Sequence, residues 1–284
     1  MNILLTGSNG FIGSYFINKY SDSYDIKTFS FLKDDIEELN CDKIDVVLHL
    51  SALVHQMGGA SVDEYERVNV TQTLMLAMKA KKAGVGQFVF MSTIAVYGED
   101  LQKLNETKVC NPITFYGKSK LEAEKQLLAL NDENFKVSIV RPPMVYGKNA
   151  PGNIDSLVKL VKKVPIIPLG DIENRRSFVY VGNLCHLIDV VIKQEQSGIF
   201  LACDDEPLST TRLIELIAKN LNKKIYLIKI PLFETMLKLL KPSFHKRLYG
   251  SLEVDNSMTK KKLNLSNPYS VEEGIRLMIK GEEV

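Results

Sequence analysis

The first twenty residues carry the pattern that most restricts the fold of this chain. A short apolar run at Asn2–Thr6 leads into a turn with glycine at positions 7, 10 and 13, and apolar periodicity continues to Tyr20. Gly7 permits a tight turn, Gly10 lets the backbone approach a bound anion, and Gly13 lets the helix pack closely on the strand. A helix N-terminus also offers unpaired N–H groups and a partial positive charge. The pattern predicts a pyrophosphate-binding turn, although its GxxGxxG spacing differs from the usual GxGxxG.

Strands and helices are predicted to alternate along roughly the first 200 residues. Apolar, β-branched runs indicate strands, and segments of helical periodicity separate them. The predicted later strands are 26–29, 45–50, 87–91 and 135–140, and the predicted helices are 62–83 and 116–130. This alternation predicts an α/β fold with a Rossmann-type doubly wound parallel sheet, in which ligands bind beyond the carboxyl ends of the strands.

The pattern loosens after Pro143, where turn-rich stretches appear. Segments 178–181 and 198–202 are predicted to be later strands that return to the main sheet. From Ser209 onward, helical pieces interrupted by prolines dominate. We therefore divide the chain into two domains. A Rossmann domain comprises 1–148 with 176–205, and a smaller, mostly helical cap domain comprises 149–175 with 206–284.

Composition excludes several classes of protein. Among 284 residues, 45% are hydrophobic and 25% charged, which is typical of a globular protein, and a net charge of +2 indicates no nucleic-acid partner. The four cysteines are far apart and have no histidine at ligand spacing, so we expect no metal site and a reducing compartment. No leader precedes the first strand, and no apolar run reaches the about 18 residues of a membrane span. We expect a cytoplasmic protein without membrane insertion.

One apolar stretch, 232–248, also contains four basic residues and has two interpretations. It has the composition of a helix that lies on a membrane surface. Pro242 interrupts it, however, so packing within the cap domain is the interpretation that we favour.

A tyrosine and a lysine stand four residues apart at Tyr116 and Lys120. On a helix this spacing puts both side chains on one face. A nearby ammonium favours the phenolate form of tyrosine, so the phenol proton becomes movable near neutral pH. Ser92 and Thr93 follow the predicted strand 87–91, and a hydroxyl there is placed to hydrogen-bond a reacting oxygen. The three residues Thr93, Tyr116 and Lys120 are therefore the catalytic candidates.

These features together resemble an extended short-chain dehydrogenase/reductase of the NAD-dependent epimerase/dehydratase family. The resemblance covers essentially the whole chain and is closest to the nucleotide-sugar 4-epimerase and 4-ketoreductase group. The motifs that carry it are Thr6-Gly-Ser-Asn-Gly-Phe-Ile-Gly13, His49-Leu-Ser-Ala52, Asn69, Ser92-Thr-Ile-Ala-Val-Tyr-Gly98, Tyr116-Gly-Lys-Ser-Lys120, Arg141-Pro142, Tyr146-Gly147 and Arg176-Ser-Phe-Val-Tyr-Val181.

The resemblance implies roles for individual residues. Tyr116 is implied to be the general acid/base, Lys120 to lower its pKa and hold ribose hydroxyls, and Thr93 to orient the substrate oxygen. The implied dinucleotide contacts, with the two catalytic side chains, are Gly7, Ser8, Asn9, Gly10, Phe11, Ile12, Gly13, Ser30, Lys33, Leu50, Ser51, Ala52, Asn69, Ser92 and Pro142. The implied nucleotide-sugar contacts are Thr93, Met144, Asn153, Arg176 and Arg247.

Departures from the family pattern bear on the cofactor. Relatives that bind NAD usually carry an acidic residue at the end of the second strand, and by spacing this position is Ser30, with Lys33 just beyond. A missing carboxylate and a nearby cation permit a 2′-phosphate. The sequence therefore predicts NAD(P) as cofactor and slightly favours NADP(H) over NAD(H).

Other departures bear on the reaction. Ile94 and Ala95 occupy the places of the Asp-Glu pair of the 4,6-dehydratases, and neither side chain can move a proton, so dehydration is not expected. Met144 replaces an asparagine that contacts the substrate, and Asn149 or Asn153 is a candidate substitute. Ser177 stands where an aspartate is usual.

Two chemistries at the C4 carbon of a sugar remain, together with one non-catalytic alternative. We favour a reductase of a UDP-4-keto-6-deoxy-(N-acetyl)hexosamine in surface-polysaccharide biosynthesis, because segments 209–212 and 248–255 resemble such ketoreductases. The alternative is a UDP-hexose or UDP-N-acetylhexosamine 4-epimerase with tightly bound NAD. A non-catalytic dinucleotide-binding regulator is a remote third possibility. The resemblance also implies a homodimer.

Overall fold

The computed structural model describes residues 1–54, 60–98 and 103–281. Its strands in chain order are β1 (Asn2–Thr6), β2 (Asp25–Phe29), β3 (Val46–His49), β4 (Gln87–Met91), β5 (Lys103–Leu104), β6 (Lys136–Arg141), β7 (Met144–Tyr146), β8 (Ile166–Ile167), β9 (Phe178–Tyr180), β10 (Gly198–Leu201), β11 (Tyr226–Leu227) and β12 (Glu253–Val254).

The helices lie between and after these strands. They are α1 (Phe11–Tyr20), α2 (Val62–Tyr65), α3 (Gln72–Lys82), α4 (Phe115–Ala129), α5 (Asn153–Lys163), α6 (Val181–Lys193), α7 (Thr210–Asn220), α8 (Phe233–Leu240), α9 (Pro242–Tyr249), α10 (Ser257–Leu263) and α11 (Val271–Lys280). A π-helical segment, Glu66–Thr71, joins α2 to α3, and a short 3₁₀ helix, Ile94–Tyr97, follows β4.

Six parallel strands form the central sheet in the order β10-β6-β4-β3-β1-β2. The chain runs from β1 to one edge at β2 and then returns across β1 to β3, so the strand order reverses between β1 and β3. In register, Thr6 lies beside both His49 and Phe29, so the carboxyl ends of these strands meet at one edge. Such a reversal opens a crevice at the carboxyl ends, which is where doubly wound sheets bind ligands.

Helices cover both faces of the sheet, as an all-parallel sheet requires. On one face, Phe16 of α1 and Leu184 and Ile188 of α6 pack against the strands. On the other face, Leu76 of α3 and Leu127 of α4 pack against them. The Rossmann-type doubly wound fold that the sequence predicts is therefore confirmed.

The prediction that 178–181 returns to the main sheet is wrong. β9 instead pairs with β7 in a separate two-stranded sheet, whereas β10 pairs with β6 at the edge of the main sheet. The edge beside β6 is thus already occupied. In addition, Pro142 and Pro143 have no N–H to donate, which ends the β6 ladder and allows the chain to pair anew at β7.

The stretch 232–248 forms α8 and α9, and only one side of it packs against the core as we expected from the sequence. Leu237 is buried, and Phe233 and Leu248 are partly buried against the core. Leu239 and Leu240 are exposed to solvent. Pro242 occupies the first turn of α9, where proline is tolerated, so the chain forms a hairpin of two short helices.

Within the described ranges, no helix has the length and apolarity needed to cross a bilayer. The four cysteines are all free thiols, with Cys41, Cys185 and Cys203 buried.

Candidate active site

The glycine turn after β1 is shaped by close backbone contacts. Gly7 has φ of +77°, and a Cβ there would lie 2.8 Å from the Ser51 nitrogen. A Cβ on Gly13 would lie 2.2 Å from the Gly7 carbonyl oxygen. Only glycine fits at either position, so the turn is held tightly against the loop that follows β3.

The first turn of α1 is suited to hold a phosphate. Gly10 is the N-cap, and within the described residues no side chain caps this helix and no acidic residue lies in its first turn. The Ser14 hydroxyl donates to the Ser8 carbonyl oxygen at 3.1 Å, which stabilises the turn. The N–H groups of the first turn therefore lack a side-chain partner and can receive an anion such as a dinucleotide pyrophosphate.

The loop after β3 is fixed by hydrogen bonds from two sides. The Ser51 backbone N–H and hydroxyl both donate to the Thr6 hydroxyl oxygen, at 3.3 and 3.0 Å. The Asn69 side chain accepts from the Leu53 N–H at 2.8 Å and donates to its carbonyl oxygen at 3.0 Å. The predicted cofactor loop, Leu50, Ser51 and Ala52, thus lies directly beside the glycine turn.

Asn69 also joins this loop to the helix that carries Tyr116. Its amide donates to the Ser119 hydroxyl at 3.0 Å, and that hydroxyl donates to the Tyr116 carbonyl oxygen at 2.9 Å. Asn69 lies in the π-helical segment, a local geometry that is frequent at functional sites. The described residues predicted to contact a dinucleotide on β1 and β3 are therefore brought together around one crevice.

His49 lies at the carboxyl end of β3, and its buried position was not anticipated from the sequence. Its ring is hydrogen-bonded to the Thr6 hydroxyl at 2.7 Å and to the Thr73 hydroxyl at 2.9 Å. Burial, and in addition the charge of Lys120, lower the pKa of His49 to about 3. The imidazole is therefore neutral, and it positions Thr6, which in turn holds Ser51.

We expect the free energy of unfolding to fall as the pH drops below about 6.5, the ordinary pKa of histidine. Because the folded-state pKa is about 3, the unfolded chain binds a proton to His49 in this window and the folded chain does not. The stabilisation is complete above about pH 6.5 and is lost at roughly 1.4 kcal/mol per pH unit below it. Urea unfolding of wild type and His49→Asn at about pH 7 and about pH 5 measures this difference. Equal pH slopes for the two proteins would contradict the assignment.

The end of β2 differs from the sequence prediction. Ser30 and Lys33 are present as expected, but the Ser30 N–H donates to the Asp34 carboxylate at 2.7 Å. The Ser30 carbonyl oxygen accepts from the backbone N–H groups of Lys33 and Asp34 at 2.9 and 2.8 Å. A carboxylate therefore does lie at this strand end, supplied from four residues further along a turn. The argument for NADP(H) from a missing carboxylate is wrong in this respect.

Thr93 and Tyr116 are brought into contact by close packing between two short backbone segments. Thr93 is the N-cap of the 3₁₀ helix Ile94–Tyr97, and its hydroxyl oxygen accepts from the Ala95 N–H at 3.2 Å. A Cβ at Gly117 would lie 2.7 Å from the Ala95 carbonyl oxygen, so α4 approaches this helix closely only because residue 117 is glycine. Tyr116 then reaches a hydrogen bond with the Thr93 side chain.

Two opposing effects act on the Tyr116 phenol. Burial raises its pKa to about 12, and the hydrogen bond from Thr93 lowers it in part. Since the Thr93 oxygen already accepts from a backbone N–H, its own proton is free to be donated to the phenol oxygen. Thr93 therefore favours the phenolate form of Tyr116.

Lys120 is held at the carboxyl end of β4. Its ammonium donates to the Met91 carbonyl oxygen at 2.7 Å and lies 4.3 Å from the centre of the Phe90 ring. Burial lowers the pKa of Lys120 to about 7, with the charge of Glu124 opposing that shift. Burial is the largest influence on the pKa of the Tyr116 phenol, and the lowering of that pKa by Lys120 stays a prediction.

A buried ion pair lies behind the catalytic candidates and was missed from the sequence. Glu124 and Arg141 form two hydrogen bonds, at 2.5 and 2.9 Å, and both side chains are almost fully buried. The Ser92 hydroxyl donates to Glu124, and Arg141 donates to the Tyr97 hydroxyl at 2.8 Å. Ser92, predicted to contact the cofactor, is therefore committed to this network.

Helical spacing was the signal that would have found Glu124. Tyr116, Lys120 and Glu124 stand at intervals of four residues and so share one face of α4. The ion pair ties that face to the carboxyl ends of β4 and β6, because Ser92 and Arg141 stand at those two ends. It therefore sets the position of the helix that carries Tyr116.

The predicted substrate contacts lie on several elements. Pro142 accepts from the Ile94 N–H at 3.1 Å, which places it beside the Thr93 segment. Met144 is partly buried in β7, and Asn153 begins α5 with its side chain outside the described part of the structure. Arg247 is exposed on α9.

Arg176 is held at the base of α9. Its guanidinium donates to the carbonyl oxygens of Lys246 and Gly250 at 3.3 and 3.1 Å, and burial lowers its pKa. A guanidinium offers further N–H donors in a fork that suits phosphate oxygens. Arg176 is thus fixed in one orientation and retains donor capacity.

The arrangement can move a proton next to a bound dinucleotide. Gly7, Gly10 and Gly13 form a tight turn with no room for a Cβ against neighbouring backbone, and the uncapped N-terminus of α1 that follows fits a pyrophosphate. Tyr116 provides an exchangeable phenol proton and Thr93 a hydroxyl that stabilises the deprotonated form. A bound nicotinamide dinucleotide would supply hydride transfer there.

Comparison with known proteins supports this assignment. The sequence profile of the NAD dependent epimerase/dehydratase family matches residues 3–202. UDP-glucose 4-epimerase of Vibrio cholerae is 33% identical, over 97% of this chain and 93% of the relative. N-acetyl-alpha-D-glucosaminyl-diphospho-ditrans,octacis-undecaprenol 4-epimerase of Escherichia coli O157:H7 is 27% identical, over 81% of this chain and 75% of the relative.

A solved structure shares the fold. The crystal structure of UDP-glucuronic acid 4-epimerase from Bacillus cereus in complex with NAD superposes with a TM-score of 0.78 at 21% identity, covering 99% of this chain and 98% of that one. Because the family profile spans more than two thirds of the sequence and a relative matches nearly its full length, the protein belongs to the NAD dependent epimerase/dehydratase family.

Proposed function

We propose that the protein is an NAD-dependent 4-epimerase of a UDP-linked hexose or N-acetylhexosamine. The observation that carries the proposal is the hydrogen-bonded pair of Thr93 and Tyr116 at the carboxyl end of β4, on the same sheet edge as the glycine turn. The pair provides proton transfer at a sugar hydroxyl beside a site for a dinucleotide.

The residues of the chain have separate roles in this reaction. Tyr116, as the phenolate, takes the proton of the C4 hydroxyl and later returns it, and the Thr93 hydroxyl stabilises that phenolate by donating to its oxygen. Lys120, whose ammonium donates to the Met91 carbonyl oxygen, is the candidate for binding the ribose hydroxyls. Arg176 is the candidate for the diphosphate of the substrate. A dinucleotide held by the glycine turn at residues 7–13 would supply the hydride acceptor and donor for C4.

Epimerisation replaces reduction as the favoured reaction. The C-terminal resemblance to ketoreductases rests on short segments, whereas the relatives matched over most of the chain are named as 4-epimerases. Neither Ile94 nor Ala95 has a side chain that can transfer a proton, so the proposal excludes dehydration.

The two reactions are separable in one experiment. Purified protein is incubated with UDP-glucose or UDP-N-acetylglucosamine without added cofactor, and the sugars are resolved by chromatography. Formation of the galacto sugar is the expected result. No conversion, together with reduction of a UDP-4-keto sugar once NADPH is supplied, would replace the epimerase by the ketoreductase. Tight dinucleotide binding with no turnover of either substrate class would point to a regulator.

We also propose that NAD is preferred over NADP. The Asp34 carboxylate lies at the end of β2, where a 2′-phosphate would meet a like charge. Lys33, next to Asp34 in the chain, is exposed to solvent. The Asp34 carboxylate therefore remains at the end of β2 although a cation is nearby.

Asp34→Asn is expected to shift the cofactor preference toward NADP by about tenfold, because removing the like charge removes a repulsion of roughly 1 kcal/mol or more. The amide oxygen can still accept from the Ser30 N–H, so the turn is preserved. Dissociation constants of NAD and NADP, measured by calorimetry on cofactor-free protein, give the ratio. Asp35→Asn is the matched control, since its carboxylate accepts from the Glu37 N–H instead. An unchanged ratio in Asp34→Asn would exclude a role for this carboxylate.

The remaining expectations stay predictions. They are the division into a Rossmann domain (1–148 with 176–205) and a nucleotide-sugar-binding cap (149–175 with 206–284), the homodimer, the cytoplasmic location and the place in polysaccharide biosynthesis.

A further inference from the structure

The hairpin formed by α8 and α9 presents an apolar surface to solvent. We define the α8–α9 surface by the outward side chains of Leu232, Met236, Leu239, Leu240 and Phe244. Leu232, Leu239 and Leu240 are 80%, 77% and 72% exposed. Side chains of this size are usually covered in a folded protein, and a contiguous group of them marks a contact site.

The exposed apolar side chains are concentrated in this part of the chain. Of the twenty large hydrophobic residues that are exposed within the described ranges, eight lie between positions 226 and 244. Scattered exposed hydrophobic residues need no explanation, but such a concentration does.

The hairpin is anchored, so its outer side chains cannot simply turn inward. Phe233, Leu248 and Tyr249 pack against the core, and Leu237 is buried. The Thr210 hydroxyl donates to the Leu248 carbonyl oxygen at 2.5 Å, and Arg176 donates to the Lys246 carbonyl oxygen. The inner face of the hairpin is thus already occupied by the protein itself.

The same segment is strongly basic. Positions 228–249 contain five cations and one carboxylate, so this segment has a net charge of +4, whereas the whole chain has +2. Lys229, Lys238 and Lys241 are exposed, and each is next to an exposed apolar residue in the sequence. The rest of the chain is therefore slightly acidic, and the positive charge is concentrated where the apolar surface lies.

This combination selects one kind of partner. Apolar side chains that enter the acyl boundary, surrounded by lysines that meet headgroup phosphates, are the features of an interfacial membrane contact. A two-fold contact of this surface with a second copy would bring two positively charged surfaces together, which is unfavourable. We propose that the α8–α9 surface docks the protein on a membrane that contains anionic phospholipids. The proposal does not depend on which C4 reaction the enzyme performs.

Flotation with lipid vesicles tests the proposal on the full-length protein. Vesicles contain phosphatidylcholine alone or phosphatidylcholine with about one third phosphatidylglycerol. The wild type is expected to float with the anionic vesicles and not with the neutral ones. Salt at about 0.5 M should release much of it, because screening weakens the attraction of lysine to headgroups.

A matched pair of variants identifies the surface. Lys238→Glu/Leu239→Glu changes an adjacent exposed lysine and aliphatic residue on α8, and it should lower partitioning at least about tenfold. Lys108→Glu/Val109→Glu makes the same change in charge at another exposed pair, where Val109 is 84% exposed, and it should bind as the wild type does. A second variant, Lys241→Glu between the two helices, should lower binding about fivefold or more.

Several results would overturn the proposal. These are no flotation of the wild type, equal flotation with neutral and anionic vesicles, or unchanged binding of both hairpin variants. Light scattering without lipid provides a further outcome. If Lys238→Glu/Leu239→Glu lowers the molar mass of the protein, the surface is a contact between copies and not a membrane-docking site.

Discussion

Tyr116→Phe is expected to lower the rate of C4 epimerisation by about 10²–10⁴-fold, the usual contribution of a general acid/base. The substitution removes only the phenol oxygen, whose described partner is the Thr93 hydroxyl. The half-buried ring keeps its packing, so the free energy of unfolding should change little. The rate is measured with UDP-glucose or UDP-N-acetylglucosamine at saturating substrate, and unfolding is measured in urea.

The matched control is Tyr226→Phe, since Tyr226 is an exposed tyrosine on β11 that no part of the candidate site uses. Its rate should equal that of the wild type. A loss of less than about threefold in Tyr116→Phe would mean that another group transfers the proton. Thr93→Val should lower the rate as well, because it removes the hydrogen bond that favours the phenolate.

Glu124→Leu is expected to lower the free energy of unfolding by about 3–5 kcal/mol, which is typical when one partner of a buried ion pair is removed. The Arg141 side chain is only 4% exposed, so the substitution leaves a guanidinium without a carboxylate in the protein interior. Ser92 also loses the acceptor of its hydroxyl. Urea unfolding of the purified variant measures the loss.

The double variant Glu124→Leu/Arg141→Met separates the cost of an unpaired charge from the value of the pair. Replacing both members of a buried pair by apolar residues is often neutral or stabilising, so the double variant should be more stable than the single one. A double variant at least as unstable as Glu124→Leu would show that hydrogen bonds to Ser92 and Tyr97, and not charge compensation, dominate this network.

Local sequence patterns sufficed to predict much of the fold. The glycine turn, the apolar runs of β1 to β4 and the periodicity of α4 each depend on residues within a few positions of one another. The periodicity of a strand or a helix is visible within a few consecutive residues. Glycine at positions 7 and 13 is likewise required by backbone contacts that the turn motif itself implies. Tyr116 and Lys120 were found in the same way, because four-residue spacing on a helix defines a shared face.

Which strands pair with one another could not be predicted from such local patterns, because the partners are far apart in the sequence. β9 was placed in the wrong sheet because the sequence pattern of a strand is the same whether it pairs in the main sheet or with β7. What decides is that β10 already occupies the edge beside β6. The exposure of Leu239 and Leu240 was missed for a similar reason, since an apolar run does not tell which of its residues the rest of the chain covers.

The electrostatics of the site depended most on tertiary structure. The sequence places an ammonium four residues from a phenol, but the folded chain directs Lys120 to the Met91 carbonyl oxygen and buries Tyr116, which raises the pKa of the phenol to about 12. A turn brings the Asp34 carboxylate to the end of β2. Glu124 and Arg141, which are 17 positions apart in the sequence, form an ion pair. Residue types and short spacings are properties of the chain itself, whereas pKa values and ion pairs arise from desolvation and from distances between groups that only folding brings together.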